Sequence, residues 1–174
     1  MTTMKVQRSE HGFGALPDAP FDVDQFLAQP LVARVATSGP VVRPVWFLWE
    51  DEIFWVLIGP WSQLGRRLRR NPVFELVVDS CLVTTGEVRQ VIARGHGYEV
   101  PFDTARGRRK LTRYLGDQEE LWDERFSLRG DPNQRGIRWG KLVPETLRIA
   151  DLSFRASVGC GVPPAPGVSG GRPG

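Results

Sequence analysis

Between Pro40 and Pro72 the chain reads PVVRPVWFLWEDEIFWVLIGPWSQLGRRLRRNP. Two extended segments flank a polar break at Glu50-Asp51, and a short basic helix follows, stopped by Asn71-Pro72. Side chains alternate along a strand. Val41, Val45, Phe47 and Trp49 therefore share one face of the first strand, and Val42, Trp46 and Leu48 the other. In the second, Ile53, Trp55 and Leu57 oppose Phe54, Val56 and Ile58. An antiparallel hairpin ordinarily wets one face. Here neither face suits water, so both must be covered. A barrel interior takes one. The helices legible elsewhere are few and short, so the sequence predicts a second copy of the chain over the other. That is a homodimer with the Val41–Ile58 hairpin at its interface.

The rest of the chain supplies the barrel. Residues 1–20 carry Gly12, Gly14, Pro17 and Pro20 without periodicity and read as an arm. Asp22 caps a short helix with Phe26 and Leu27 facing inward, and Pro30 closes it. Leu31 to Thr37 is a strand, and Ser38-Gly39-Pro40 a turn. After the hairpin, whose turn lacks the glycine a two-residue loop favours, Ser62 is placed to cap a helix pinned by Leu64 and Leu68. Phe74, Leu76 and Val78 alternate inward. Val88 to Val100 is a long strand whose Gly95 and Gly97 mark either a bulge or a close approach, the bulge being the commoner cause. Asp103 caps a helix to Leu115, Asp117 caps another over 118–126, and a last extended stretch runs from Ile137 to Ile149. Six extended segments joined mostly by tight turns predict a mainly β fold, a six-stranded antiparallel split barrel flanked by helices, over residues 21–154. From Arg155 onward about half the residues are Gly or Pro, a composition that buries no core and predicts a disordered tail.

At 174 residues one domain is expected. No run reaches the ~20 apolar residues of a membrane helix. MTTMKVQRSE has no apolar middle of a signal peptide, so a cytoplasmic protein is expected. Cys81 and Cys160 form no metal-ligand or disulfide pattern. Net charge is only +3, yet Arg66, Arg67, Arg69 and Arg70 clump, as do Arg106, Arg108, Arg109, Lys110 and Arg113. Such clumps suit an anionic partner or a solvated helix face. The best anion site is the helix start at Ser62-Gln63-Leu64, where backbone N–H groups lack internal partners. Gly65 removes a side chain there, and Arg66 or Arg67 can reach a phosphate.

The order LVARVATSGPVVRPVWFLWEDEIFWVLIGPWSQLGRRLRRNPVFELVVD, then VIARGHGYEV, resembles the FMN-binding split-barrel family related to pyridoxamine 5'-phosphate oxidase. Within that family it is similar to flavin- and deazaflavin-dependent reductases. The resemblance covers roughly Phe21 to Asp151. It implies a dimer with cofactor sites at the interface and the cofactor phosphate against Ser62, Gln63, Leu64, Arg66 and Arg67. It also implies a flavin ring along the strand Arg43, Pro44, Val45, Trp46 and Phe47. Leu64 is a departure, since relatives often carry a basic residue there.

The implied activity is hydride transfer to or from a small organic substrate, with FMN or an 8-hydroxy-5-deazaflavin coenzyme as cofactor and no side-chain nucleophile. The deazaflavin's acidic tail would suit the arginine clumps. No Ser-His-Asp or Cys-His set is legible. His96 is a candidate proton donor, although a lone histidine is more often structural. The alternative is a non-catalytic or haem-handling split barrel, since fold alone does not set function. A nucleic-acid binder is the least supported reading, because no reading module is recognisable.

Overall fold

The computed structural model describes residues 1–39 and 41–155. Pro40 of the expected turn and, Arg155 aside, the expected tail lie outside the described residues. The strands are β1 (Thr2–Gln7), β2 (Val32–Thr37), β3 (Val41–Glu50), β4 (Ile53–Ile58), β5 (Val73–Leu82), β6 (Glu87–Pro101) and β7 (Arg138–Asp151). The helices are α1 (Val23–Leu27), α2 (Leu64–Arg70) and α3 (Thr104–Leu115). All pairings are antiparallel in the order β1-β7-β4-β3-β2-β5-β6, and β6 pairs back to β7. Strands β2 to β7 thus close the six-stranded barrel that the sequence predicts. No helix among the described residues is long and apolar enough to cross a membrane.

The barrel interior is set by alternation. Val35, Phe47, Phe54, Val56, Phe74, Leu76, Val78, Val91, Ala93, Leu142, Leu147 and Ile149 are all buried in one cluster. Leu64 and Leu68 of α2 and Phe26 and Leu27 of α1 plug it. Asp22 caps α1 by accepting from Gln25 N at 2.9 Å, as its position predicts.

Three expectations are corrected. The arm contains a strand, because Thr2–Gln7 pairs with Thr146–Asp151 where the β4 pairing of β7 has ended. Only Met4 and Val6 of β1 turn partly inward, so its periodicity is faint. The helix expected over 118–126 is two 3-10 turns, Glu119–Leu121 and Glu124–Phe126, broken where Trp122 is extended. There the Asp123 carboxylate accepts from Arg125 N and competes with helical bonding. The hairpin turn is Asp51-Glu52, one residue later than expected, and both residues lie at φ 56°, a primed turn made without glycine.

Toward the β3–β4 turn the outer face of the hairpin is covered from within the chain, whereas Val42 and Pro44 of the same face stay exposed. Leu48, Trp55, Phe102 and Trp139 form a second buried cluster beneath α3 and the segment after it. The Trp46 ring stacks on Tyr114 (centroids 4.6 Å, 4° between planes) and on Phe126 (5.5 Å). Arg106 lies 3.8 Å from the Trp55 ring centroid and shares the Glu50 carboxylate with Arg109.

Candidate functional site

Helix α2 begins at Leu64, two residues after the predicted cap, with Gln63 as N-cap and no capping side chain. Ser62 instead accepts from Leu64 N at 3.1 Å. The helix is only seven residues long, so little dipole accumulates, and the case for an anion passes to its side chains. Arg66, Arg67 and Arg70 line an open crevice of about 630 Å³ with Gln63, Asn71 and the Ser38-Gly39 turn. Among the described residues no carboxylate lines this crevice. Arg67 Nη1 donates to Ser38 O at 3.3 Å, which ties α2 to the β2–β3 turn. Arg69 faces elsewhere, paired with Glu99.

Gln63, Arg66 and Arg67 of the expected phosphate site are therefore brought together, and Ser62 lies just before them. Leu64 is not in the crevice, being buried in the barrel plug. Gly65 is buried beside the Ile58 and Glu99 side chains and is not among the residues that line the crevice. Sequence reasoning missed the part played by Arg70, Asn71, Ser38 and Gly39. The helical spacing of Arg66, Arg67 and Arg70 (i, i+1, i+4) was the signal available for Arg70.

The strand expected to carry the ring divides in two. Val42, Arg43 and Pro44 are exposed, Val45 is half-buried, Trp46 lies under Tyr114 and Phe126, and Phe47 is fully enclosed. The open part of β3 follows closely on the Ser38-Gly39 lip of the crevice. It lies toward the turn from the Pro44-to-Phe47 stretch that the resemblance implies.

The strand glycines answer to packing. The β6–β7 register shifts between Arg94 and Gly95, the bulge expected there, and a Cβ at Gly95 would strike the Val143 carbonyl. A Cβ at Gly97 would strike Leu142 and Leu68. His96 pairs through Nδ1 with Glu145 and does not line the crevice.

On the buried face of α3 lies a residue with no signal beyond its place in a basic run. Lys110 is only 2% exposed. Its Nζ sits 5.8 Å from the Trp46 ring centroid and 5.6 Å from that of Tyr114. Burial, and secondarily the charge of Arg113, pulls its pKa down to about 7. Tyr114 is held above its ordinary pKa, chiefly by burial.

No protein-family model matches the sequence, and no curated protein matches it significantly. Solved structures do match. A conserved hypothetical protein from Mycobacterium tuberculosis superposes with a TM-score of 0.64 at 19% identity, over 83% of this chain and 97% of that one. An F420 reductase gives 0.55 at 22% identity, over 74% and 97%. A FAD-binding protein from Mesorhizobium loti gives 0.52 at 16% identity, over 86% and 99%. The split-barrel fold is thus shared with these structures and with one described as a putative pyridoxamine 5'-phosphate oxidase. At these identities the likeness speaks for the fold alone.

Proposed function

We propose that the chain is an oxidoreductase that holds a flavin-type cofactor, FMN or the 8-hydroxy-5-deazaflavin coenzyme, and transfers hydride to or from a small organic substrate. The observation that carries this reading is the crevice of Arg66, Arg67 and Arg70, free of carboxylates among the described residues and adjoining the exposed start of β3. Guanidinium forks and the amides of Gln63 and Asn71 suit a phosphate or an acidic tail. Likeness in fold to an F420 reductase and a FAD-binding protein supports the same cofactor class.

Arg66 and Arg67 would hold the anionic end and fix the register of the ring along Val42–Pro44. Such a cofactor supplies the redox chemistry itself when bound. The chain's part is then to bind, orient and exclude water, with Trp46 and Tyr114 walling the inner end of the strand. The haem-handling alternative gains no support from the histidines, because His96 is engaged by Glu145 and His11 is exposed in the first loop.

Titration of purified protein with FMN and with the deazaflavin coenzyme, read by visible absorbance and calorimetry, tests the reading. Saturable binding of one of them is expected. Arg66→Ala with Arg67→Ala weakens it by about 2–3 kcal/mol, the scale of one or two charge-assisted hydrogen bonds at a solvated site. Binding of neither cofactor, or equal affinity in the double variant, overturns the assignment.

A further inference from the structure

A strap, residues 8–22, crosses the chain at the β3–β4 turn, where the Glu52 carboxylate accepts from Phe13 N and Gly14 N. Between the strap, the start of α1 and Trp49 lies an open-sided cavity of about 430 Å³. That volume is in the range of small-molecule sites, and the cavity shares no residue with the arginine crevice. Three aromatic rings wall it, those of Phe13, Phe21 and Trp49. Each packs against the barrel core yet stays only half-buried, so apolar surface is left facing the cavity. The charges that line it are of one sign. Asp22, Asp24 and Glu52 do so, and among the described residues no Lys, Arg or His does.

Glu52 is engaged by the strap amides and by Arg8. The two aspartates keep their charge. Asp22 accepts from Gln25 N and Asp24 from the Trp49 indole N–H at 2.6 Å, each through one oxygen. Neither is in an ion pair among the described residues. Rings of this wall already accept cations. Arg8 lies 5.3 Å from the Phe13 centroid and Arg89 5.4 Å from that of Phe21. Trp49, the strongest such acceptor of the three, has no cation over its ring among the described residues. Its N–H edge is bound to Asp24, so a cation on its face stands near that carboxylate. We propose that this cavity binds a small organic cation, an ammonium carried on an apolar body. The body packs against Phe13, Phe21 and Trp49, and the charge sits at the rim beside Asp22 and Asp24, both exposed. The ammonium thus keeps water and a counter-charge and escapes the cost of unpaired burial. An anion of the same shape meets two uncompensated carboxylates and is rejected.

Titration of the 15N-labelled full chain with phenethylammonium tests this. The readouts are the Trp49 indole N–H, assigned with Trp49→Phe, and the Phe13 and Gly14 amides. Saturable shifts are expected, with a dissociation constant of about 1 mM or tighter. The anion 3-phenylpropionate has the same ring and linker and is expected to leave these resonances unmoved. Asp24→Asn keeps an acceptor for the Trp49 indole, and Asp22→Asn keeps the cap of α1. Each is expected to weaken binding about threefold and the two together about tenfold, the scale of solvent-exposed ion pairs. Absence of saturable shifts, equal binding of the two ligands, or unchanged affinity in the double variant overturns the proposal. The comparison of the two ligands is made on the wild type and needs no variant to fold. Since the cavity and the arginine crevice share no residue, failure here is distinct from failure of the proposed function.

Discussion

Tyr114 is where the helical layer is fastened to the barrel. Its hydroxyl accepts from Phe47 N at 3.1 Å and lies 2.7 Å from Leu31 O, to which it donates. Those partners sit on β3 and at the entry to β2, so one oxygen bridges two strands and a helix. Removing it leaves a partly buried N–H without its partner, which costs more than the bond's net worth. Tyr114→Phe is expected to lower unfolding stability by about 1–3 kcal/mol, measured by urea denaturation, while the Trp46 stack persists. Leu64→Lys introduces the basic residue that the family resemblance leads one to expect there. It is expected to destabilise by at least about 2 kcal/mol rather than improve anion binding, because Leu64 is 7% exposed within the barrel plug.

At the scale of elements, the β3–β4 turn and the strap over it are coupled. Asp51 and Glu52 both occupy the left-handed region, each at a cost of roughly 1 kcal/mol. The Glu52 carboxylate offsets that cost by accepting from Phe13 N at 2.8 Å and Gly14 N at 3.0 Å and by pairing with Arg8. Gly12 must be glycine, with φ 96° and the Glu52 side chain where its Cβ would stand. Two opposite outcomes follow in thermal unfolding. Asp51→Gly relieves strain alone and is expected to stabilise by up to about 1 kcal/mol. Glu52→Gly relieves the same strain but loses hydrogen bonds to a charged acceptor, about 1.5 kcal/mol or more each, and is expected to lower the midpoint. The attachment of α3 to β3 has an acid limit. Burial raises the Glu50 pKa, but the hydrogen bonds and charges of Arg106 and Arg109 outweigh it and leave the net value below 4.5. Its contribution is present above the ordinary carboxylate range and is lost as pH falls through the lowered value. Glu50→Gln is thus expected to destabilise at pH 7 and to match the wild type in strong acid.

For the whole molecule the open question is the second copy. The α3 layer covers the outer hairpin face only toward the β3–β4 turn. Val32, Val42 and Pro44 remain bare on the adjoining β2–β3 surface, where Arg34 pairs with Asp79. A homodimer burying that surface, and completing the site beside the arginine crevice, belongs to the proposed function. Light scattering at micromolar concentration is expected to give twice the chain mass, and Val42→Glu is expected to give monomers that remain folded by circular dichroism. A wild-type monomer sinks the dimer and leaves the crevice assignment standing.

How far the sequence reached depended on the range of the forces involved. Alternation in β2 to β7, the Asp22 and Asp103 caps and the Gly95 bulge are local matters, written in neighbouring residues, and the barrel followed from them. The Arg66–Arg67 cluster was legible for the same reason, because helical spacing aligns it. Three things were decided only by residues far apart in the chain meeting in space. Tyr114 and Phe126 came to roof Trp46, Leu64 turned into the plug instead of toward the anion, and Lys110 was drawn in beside the Trp46 and Tyr114 rings. A run of basic residues carries no mark of which one will be buried. That depends on which face of α3 the aromatic surface of β3 draws inward, and burial is a property of the packed whole.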